Sequence, residues 1–384
     1  MKYIERESAK TAIRLAGKFP IVSITGPRQS GKSTLAKHAF PSYEYVSLED
    51  PNMRSFAIED PLGFLSTYSA KTIIDEAQRA PELFNYLQGR VDETNEPGQF
   101  VLSGSQNFLL SEGISQSLAG RTAIIHLLPF SRFELSLDGS LPGRLDEWLL
   151  AGGYPRIYQQ SIAPTDFYPS YIETYLERDA RSQLSNASLG DFQRFLRLCA
   201  GRVGQLLDIG NLALESGIDV RTAKRWLSIL QASFLVFLVQ PYYKNFNKRL
   251  VKRPKLYFCD AGLACSLLGL RSAESVALSP FRGGLFENLV FSEYMKRSYA
   301  QGQQPDLWFW QETATNEVDL VIERDGILRA VEVKSGATFN RKWFSSMKVF
   351  SALANIDAQN KAIVYGGDRD LVTSQGSVIS WKNW

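Results

Sequence analysis

The feature that most constrains the fold is a glycine-rich turn placed directly after a short apolar strand. Residues 19–25 (FPIVSIT) form a β-branched run that is typical of a buried parallel strand, and residues 26–34 (GPRQSGKST) follow without a break. Residues 35–39 then continue in a helical pattern. Because a strand, a glycine-rich turn and a helix in this order build wound sheets, the sequence predicts an α/β fold with a parallel sheet.

The turn matches the phosphate-binding pattern GxxxxGK(S/T) of P-loop NTPases at every fixed position. In such a loop the backbone N–H groups surround a phosphate, and the N-terminus of the following helix adds positive potential. We expect Lys32 to reach the β- and γ-phosphates and the Ser33 hydroxyl to bind Mg²⁺. The sequence therefore predicts magnesium-dependent ATP hydrolysis. The predicted nucleotide contacts are Gly26, Pro27, Arg28, Gln29, Ser30, Gly31, Lys32, Ser33 and Thr34.

Two later strands end in polar residues that suit the same reaction. Residues 71–76 (KTIIDE) end in adjacent carboxylates, of which Asp75 is expected to hold the Mg²⁺ and Glu76 to orient and deprotonate the attacking water. Residues 99–102 (QFVL) form a third strand, which is followed by SGSQ. If this strand lies between the first two, small polar side chains at its end would sense the γ-phosphate. The candidate sensors are Ser105 and Gln106.

A lone arginine, Arg121, precedes a fourth apolar strand over residues 122–128. With the motifs above, the chain resembles the AAA+ ATPases, in which an arginine finger precedes the corresponding strand. The resemblance implies that Arg121 reaches the ATP of a neighbouring subunit and neutralises charge in the transition state. It also implies a homo-oligomer, by analogy usually a ring of six.

The chain looks more specifically like a widespread prokaryotic ATPase family, which joins an AAA-type N-terminal domain to a C-terminal domain of unknown function. This resemblance covers nearly the whole chain. In related ATPases a Gly-x-Pro turn lies near the nucleotide base, which makes Pro155 a candidate contact. The strings that carry the resemblance are TGPRQSGK (25–32), DEAQ (75–78), SLAGR (117–121) and GGYP (152–155).

The middle of the chain has the pattern of a helix-turn-helix. A short helix over residues 209–215 is broken by Ser216-Gly217, and Asp219 is expected to cap a second helix. On that helix one face is apolar and the opposite face is basic, as a recognition helix requires. The apolar residues are Val220, Ala223, Leu227 and Leu230, and the basic ones are Arg221, Lys224 and Arg225.

Two apolar strands follow, over residues 234–239 and 255–259, and the segment between them is basic and contains aromatic residues. This arrangement is typical of a winged helix whose wing contacts DNA. Two alternatives stay open: the winged helix serves protein–protein contact, or the basic segment is simply solvated. The candidate DNA contacts of the wing are Lys248, Arg249, Lys252 and Arg253.

Residues 317–322 (EVDLVI) and 328–334 (LRAVEVK) are two strands around an Asp325-Gly326 turn, which predicts a type I′ hairpin. Counting outward from the turn places Asp319 directly opposite Glu332 on one face of the hairpin. Two opposed carboxylates repel each other unless a divalent cation lies between them. A lysine two residues on, Lys334, shares that face.

This hairpin resembles the core of the PD-(D/E)XK nucleases, and the spacings resemble those of archaeal-type Holliday junction resolvases. The resemblance implies a C-terminal α/β nuclease-like domain with Asp319, Glu332 and Lys334 as its core motif and Glu287 as its helix glutamate. Asp319 and Glu332 would then bind a second divalent cation. The alternative is an inherited nuclease fold that is kept for DNA binding or assembly.

Composition adds bounds to this outline. The chain of 384 residues is 44% hydrophobic and 22% charged, with a net charge of +3, which fits two or three globular domains and does not itself indicate nucleic acid. No apolar run is long enough to span a membrane and no signal peptide is recognisable, so we expect a cytoplasmic protein with no membrane partner. The three cysteines are expected to be buried thiols. The predicted domains are an AAA+ domain (1–144), a helical lid with a winged helix (145–275) and the nuclease-like domain (276–384).

Three functions remain open. The first is an oligomeric AAA+ ATPase that couples ATP hydrolysis to binding, remodelling or translocation of DNA, plausibly branched or broken. The second is a nucleotide-dependent switch that binds protein partners while its nuclease fold is inactive. The third is an ATP-gated, metal-dependent nuclease.

Overall fold

The computed structural model describes residues 2–104, 118–175, 189–242, 252–313 and 316–384. The first strands within these ranges are β1 (Ile21–Thr25), β2 (Glu44–Ser47), β3 (Thr72–Asp75), β4 (Phe100–Gly104) and β5 (Thr122–His126). They form one parallel sheet in the order β2-β3-β4-β1-β5. The predicted α/β fold with a parallel sheet is confirmed, and the third predicted strand does lie between the first two.

Helices cover both faces of this sheet, which explains why its central strands are buried throughout and mainly apolar. Every residue of β1, β3 and β4 is buried. Adjacent residues of one strand enter different cores: Ile21 packs with one cluster and Val22 with the other. The helices are α1 (Ser8–Ala16), α2 (Lys32–Ala39), α3 (Pro51–Glu59), α4 (Pro61–Thr67), α5 (Leu83–Thr94) and α6 (Arg132–Asp138), with a 3₁₀ turn at Ala77–Arg79.

The middle of the chain is mainly helical. Its helices are α7 (Leu145–Ala151), α8 (Pro155–Gln159), α9 (Pro164–Tyr175), α10 (Leu189–Ala200), α11 (Ile209–Ser216), α12 (Val220–Ala232), α13 (Ala261–Leu267) and α14 (Ala273–Ala277). Two short strands, β6 (Val236–Val239) and β7 (Lys255–Phe258), pair antiparallel. The two helices around the turn and the two-stranded ribbon lie within a residue or two of their predicted bounds, and their role as a winged helix stays a prediction.

The C-terminal part begins with the long helix α15 (Arg282–Ala300) and contains a second sheet. Its strands are β8 (Leu307–Thr313), β9 (Asn316–Arg324), β10 (Ile327–Lys334), β11 (Lys361–Tyr365), β12 (Leu371–Thr373) and β13 (Gly376–Ser380). They follow the order β12-β13-β11-β10-β9-β8, with parallel pairing only at β10–β11 and β11–β13. The remaining helix is α16 (Lys348–Ala354), with 3₁₀ turns at Arg341–Ser345 and Ala358–Asn360.

The predicted hairpin is present with the predicted register. Asp325 and Gly326 have positive φ angles of 53° and 76°, as a type I′ turn requires. Ile327 pairs with Arg324, and the ladder continues to Val331 and Leu320.

The middle and C-terminal parts share one apolar core, which runs from Trp148 and Trp226 to Phe291 and Val331. Helix α15 also contacts the first part of the chain. Its Glu293 carboxylate accepts the backbone N–H of Arg132 at 2.6 Å, and its Lys296 ammonium donates to the carbonyl oxygen of Phe130 at 3.0 Å. None of the helices in the described ranges combines the length and the apolar composition that a membrane span needs.

Candidate functional site

The P-loop lies where β1 ends, at the C-terminal edge of the first sheet. Gln29 and Gly31 have positive φ angles of 58° and 93°, which turn the backbone before α2 begins at Lys32. No side chain fits at Gly26, because a Cβ atom there would lie 2.1 Å from the carbonyl oxygen of Leu127. The glycines of the motif therefore shape the loop as the sequence predicts.

Lys32 is buried inside this loop. Its ammonium group donates hydrogen bonds to the carbonyl oxygens of Gly26 and Pro27 at 3.1 and 2.7 Å. In the same loop the hydroxyl of Ser30 is buried and has no hydrogen-bond partner in the described part of the chain. An ammonium group, an unpaired hydroxyl and the N-terminus of α2 together suit a bound phosphate.

Asp75, the last residue of β3, is surrounded by hydroxyl groups. Its carboxylate accepts hydrogen bonds from Ser33 Oγ at 2.9 Å and from the Tyr45 hydroxyl at 2.8 Å, and a third from the hydroxyl of Ser103. These three partners are neutral, and among the described residues no ion pair compensates the negative charge of Asp75. The pair of Ser33 and Asp75 suits Mg²⁺, which usually takes only one or two carboxylates from a protein.

No sequence pattern marks Tyr45 or Ser103 as a partner of Asp75. They lie on β2 and β4, and only the strand order places them on either side of β3. Burial raises the pKa of the Tyr45 phenol, and the charge of Asp75 raises it further. The phenol therefore stays protonated and remains a hydrogen-bond donor to Asp75.

Glu76 leaves the strand through a left-handed backbone conformation, with φ 54° and ψ 41°. This conformation is uncommon for a residue other than glycine and often occurs at functional sites. The side-chain amide of the buried Gln78 donates a hydrogen bond to the Glu76 carboxylate. Gln78, in the 3₁₀ turn after β3, thus fixes the carboxylate that is predicted to activate water, although only Glu76 was recognisable from its place after Asp75.

Two other predicted contacts differ in outcome. Ser105 and Gln106, the candidate sensors, lie outside the described residues. Pro155 lies beside the P-loop: a Cβ atom built on Gly31 would be 3.8 Å from its Cγ atom. The turn that carries Pro155 is anchored to a distant helix cap, since the N–H of Gly153 donates to Asp260 at 2.7 Å.

Arg6 contacts the P-loop although no motif marks it. Its side chain is buried, and its guanidinium group donates to the carbonyl oxygens of Ser30 at 2.9 Å and Leu128 at 2.5 Å. It also pairs with the carboxylate of Glu134 at 2.9 Å. Arg6 therefore ties the loop to α6 and to the segment between β5 and α6, and a buried arginine near the N-terminus has no sequence signal of its own.

His126, the last residue of β5, lies at the boundary between the first sheet and the rest of the chain. Its Nδ1 atom is 2.9 Å from the hydroxyl of Thr25, the residue before the P-loop. Its ring packs against Phe234, which precedes β6, and against Tyr299 of α15, with centroid distances of 5.3 and 4.7 Å. Burial lowers the pKa of His126 to about 4, so the ring is neutral near pH 7.

The helix-turn-helix presents its basic side to solvent. Asp219 caps α12 by accepting the N–H of Thr222 at 2.9 Å, and Gly217 makes the turn with a φ of 72°. Arg221, Lys224 and Arg225 are exposed. The apolar face is buried except at Val220, which is 44% exposed, because the first residue of α12 lies at the open end of the turn.

The wing is described only in part. Lys248 and Arg249 lie outside the described residues. Lys252 and Arg253 are exposed. The guanidinium group of Arg253 pairs with Asp208, the cap of α11, at 2.7 Å, so its charge is partly engaged within the chain.

The predicted C-terminal carboxylates come together at the start of β7. Glu287 of α15 accepts hydrogen bonds from the ammonium group of Lys255 at 2.9 Å and from the hydroxyl of Tyr257 at 2.6 Å. The same ammonium group lies 2.5 Å from Glu317 of β9. Lys255 is 4% exposed, which makes it one of the most deeply buried charges of the described chain.

Asp319 and Glu332 share the other side of this group. The β9–β10 ladder ends one pair before them, because Asp319 Oδ2 accepts the backbone N–H of Val333 at 2.8 Å. The Lys334 ammonium contacts Glu332 and lies 3.8 Å from Asp319. Burial and the charge of Asp319 raise the pKa of Glu332 to about 7, although Lys334 acts in the opposite direction.

The geometry gives no support to the predicted cation between Asp319 and Glu332. Within the described ranges, no three His, Cys, Asp or Glu side chains are grouped so that they could hold a metal ion. Asp319 Oδ2 accepts the N–H of Val333 and Lys334 pairs with Glu332 Oε1, whereas Glu332 Oε2 is buried and has no hydrogen-bond partner in the described part of the chain. The second cation therefore stays a prediction. The predicted buried thiols are confirmed for Cys199, Cys259 and Cys265.

Three family models match successive parts of the chain: an AAA domain over residues 18–136, a domain of unknown function (DUF8612) over residues 143–274, and a domain of unknown function (DUF4143) over residues 282–384. An uncharacterized protein of Mycobacterium tuberculosis, Rv2008c, is 31% identical over 372 residues, which cover 95% of this chain and 81% of that protein. The chain belongs to this AAA-domain family. An uncharacterized protein of Methanocaldococcus jannaschii, MJ1544, is 22% identical over 332 residues, or 78% of this chain and 71% of that protein.

Solved structures are also similar to this AAA-domain protein. A Walker-type ATPase of Pyrococcus abyssi matches 69% of this chain and 96% of its own, with a TM-score of 0.45 and 14% identity. RuvB of Thermotoga maritima matches 61% of this chain and 87% of its own, with a TM-score of 0.33 and 17% identity. The strand order and the family matches, which do not depend on these structures, give the AAA-domain protein a parallel P-loop sheet and a separate C-terminal sheet domain.

In this AAA-domain protein Arg121 lies at the edge of the sheet opposite to the P-loop. Its carbonyl oxygen accepts the N–H of Ile21, the first residue of β1. Its guanidinium group makes two hydrogen bonds to Asp92 of α5, at 2.6 and 2.7 Å, which lower the pKa of Asp92. Arg121 therefore does not reach the P-loop of its own chain, and its role toward a neighbouring chain stays a prediction.

Proposed function

We propose that this AAA-domain protein is a magnesium-dependent ATPase whose hydrolysis is coupled to binding and remodelling of DNA. The observation that carries the ATPase part is the group around Asp75. Its uncompensated carboxylate lies 2.9 Å from the Ser33 hydroxyl, at the sheet edge where the P-loop holds the Lys32 ammonium. ATP and Mg²⁺ would together supply a terminal phosphate that is polarised for attack by water.

The chain's own residues divide this reaction between them. Lys32 exchanges its two carbonyl acceptors in the loop for phosphate oxygens, a charge-assisted contact that is stronger than either. Ser33 and Asp75 hold the metal. Glu76, fixed by Gln78, orients the attacking water and accepts its proton. Ser105 and Gln106, which follow β4, are proposed to sense the terminal phosphate, and Pro155 to contact the base.

The position of Arg121 supports an oligomer. Since it lies at the opposite sheet edge from its own P-loop, an arginine-finger role would require a nucleotide of a neighbouring chain and release of its pair with Asp92. We propose a homo-oligomeric ring, by analogy with six subunits. ATPase activity per subunit would then rise with protein concentration, and Arg121→Ala would lose that rise while keeping nucleotide binding.

DNA is the proposed partner because the exposed face of α12 is basic. Arg221, Lys224 and Arg225 are within one helical turn or so of each other and lie opposite a buried apolar face. A helix with these properties after a tight turn is suited to contact phosphates and base edges. The wing residues Lys248, Arg249, Lys252 and Arg253 would add phosphate contacts.

A second function, a nucleotide-dependent switch that binds protein partners, is favoured by one observation. The charges that a DNA-cleaving domain would use, on Glu332 and Lys334, are paired with each other inside the chain. In that case the middle and C-terminal parts would report the nucleotide state to a protein rather than act on DNA.

The deciding measurement is the ATPase rate without DNA and with single-stranded, duplex and four-way DNA. Lys32→Ala provides the blank, and Lys10→Ala, an exposed lysine of α1, is the matched control. A rate that DNA raises, together with salt-dependent DNA binding that Arg221→Ala weakens, supports the DNA-coupled ATPase. An ATPase rate that none of the three DNAs changes would favour the nucleotide-dependent switch. Normal ATP hydrolysis by Lys32→Ala would disprove the assigned ATP site.

A further inference from the structure

A buried lysine lies inside a cluster of carboxylate side chains that joins the middle and C-terminal parts. The members of this carboxylate cluster are Glu287, Glu317, Asp319 and Glu332. The ammonium group of Lys255 on β7 lies 2.9 Å from Glu287 of α15 and 2.5 Å from Glu317 of β9. A third carboxylate, that of Asp319, acts on the same ammonium group and helps to raise its pKa above the ordinary value. Lys255 therefore stays charged although almost no solvent reaches it.

The carboxylate cluster already contains a second ammonium group besides that of Lys255. The Lys334 ammonium contacts Glu332 and lies 3.8 Å from Asp319. The hydroxyl of Tyr257, two residues after Lys255 on the same strand, donates to the Glu287 oxygen that Lys255 also contacts. Donors from β7 thus approach Glu287 from one side, and donors from β10 approach the other two carboxylates.

This arrangement leaves little for a divalent ion. Such an ion needs several oxygens drawn in to roughly 2.0–2.6 Å. Here one oxygen of Glu287 is committed to Lys255 and Tyr257, and an oxygen of Asp319 is committed to the N–H of Val333. Glu332 Oε2 is buried without a hydrogen-bond partner among the described residues, but one such oxygen alone is fewer than a divalent ion needs. A further positive charge would also be repelled by the two ammonium groups, most strongly by that of Lys255, which is buried, and less by that of Lys334, which is partly exposed.

We propose that Lys255 is the built-in cation of this carboxylate cluster. Its ammonium group takes the place of a divalent metal ion and ties β7 to α15 and β9. The cluster is then an internal ion network that joins two parts of the chain. A metal ion enters only when Lys255 is removed. This proposal is independent of ATP hydrolysis, since none of its residues lies in the P-loop site.

The test measures Mn²⁺ binding to the full-length protein without nucleotide. An Asp75→Asn background removes the metal carboxylate of the P-loop site, and free Mn²⁺ is followed by electron paramagnetic resonance. With Lys255 present we expect no stoichiometric binding at the carboxylate cluster. In Lys255→Met, which keeps the apolar stem, we expect one Mn²⁺ per chain with affinity at least about tenfold higher. We also expect a lower thermal midpoint in chelator, partly restored by Mn²⁺.

Lys296→Met is the matched control. Its ammonium is likewise buried and pairs with Glu293 on α15 at 2.8 Å, but this pair is not part of the carboxylate cluster. It should lose stability without gaining Mn²⁺ binding. One Mn²⁺ per chain bound with Lys255 present, and lost in Asp319→Asn, would overturn the proposal, as would a folded Lys255→Met that binds none. If Lys255→Met does not fold, the deciding comparison is between the Mn²⁺-binding curves of the protein that keeps Lys255, measured with and without Asp319→Asn. Identical curves support the proposal.

Discussion

The two sheets of this protein each bring acidic residues and a lysine to one edge, and the two edges differ in what surrounds the carboxylates. Around Asp75 the partners are the hydroxyl groups of Ser33, Tyr45 and Ser103. At the carboxylate cluster the partners of Glu287 and Glu332 are the ammonium groups of Lys255 and Lys334.

The difference decides what each edge is able to bind. A carboxylate that accepts hydrogen bonds from neutral hydroxyls is oriented by them and keeps its charge for an external cation. A carboxylate paired with a buried ammonium is already compensated, and removing either partner leaves an unpaired charge in a poorly solvated place. The same residue types thus give a ligand site in one sheet and an internal ion network in the other.

The largest expected difference between the two sheet edges is in how much a substitution lowers the free energy of unfolding. Lys255→Met should lower the free energy of unfolding by about 3–5 kcal/mol, because it leaves Glu287 and Glu317 without their buried cation. Ser103→Ala removes one hydroxyl from Asp75 and should cost only about 1–2 kcal/mol. Chemical denaturation of both variants measures the two values. Equal losses would mean that the ammonium is no more important to folding than a single hydroxyl.

For the ATPase rate, we expect substitutions at the first sheet edge to have the larger effect. Asp75→Asn keeps the shape of the side chain but removes the charge that holds the metal, so the ATPase rate should fall about 100-fold or more. Glu332→Gln neutralises a carboxylate of the second edge and should leave the rate within about twofold. Steady-state ATPase assays at saturating ATP and Mg²⁺ compare them. A large rate loss in Glu332→Gln would show that the second edge takes part in hydrolysis.

The pH dependence of stability should carry opposite signatures from the two regions. His126 has a pKa of about 4 when folded and about 6.5 when unfolded, so its contribution is full above pH 6.5 and is lost as the pH falls toward 4. Glu332 has a folded pKa of about 7, above its unfolded value, so its contribution is full below about pH 4.5 and is lost as the pH rises toward 7. Each shift corresponds to as much as roughly 3 kcal/mol.

Unfolding experiments between pH 4 and 8 on His126→Phe and Glu332→Gln isolate these two contributions. Relative to the wild type, His126→Phe should flatten the loss of stability on the acid side, and Glu332→Gln should flatten the loss on the neutral side. Parallel curves for either variant would contradict the assigned burial of that group.

Local patterns predicted much of this molecule from the sequence. The P-loop follows from its spacing and from the strand before it, and the hairpin register follows from the Asp325-Gly326 turn, because both depend on neighbours in the chain. The recognition-helix pattern also gave the right helices, although Val220 shows that periodicity does not predict burial at a helix end.

The residues that the sequence could not supply act over long distances. Arg6 reaches Leu128 and Glu134. Lys255 begins an apolar strand and gives no sign that its partners are Glu287 and Glu317, on a helix and a strand much later in the chain. The expected metal between Asp319 and Glu332 stays a prediction, and Lys255 shows what such a motif leaves out: it gives the ligands of a site, but not a competing cation from another element.

Helix α15 has 19 residues, which corresponds to a rod of about 28 Å. Near its C-terminal end, Tyr299 packs on the histidine that touches the residue before the P-loop, and near its start Glu287 accepts the ammonium of β7. Because both contacts lie on one helix, a tilt of the helix at one end displaces the other end. Tyr299 and Glu287 are 12 residues apart, or about 18 Å along the helix, so a tilt of about 10° about Tyr299 on nucleotide binding would move Glu287 by about 3 Å, enough to break its hydrogen bond to Lys255.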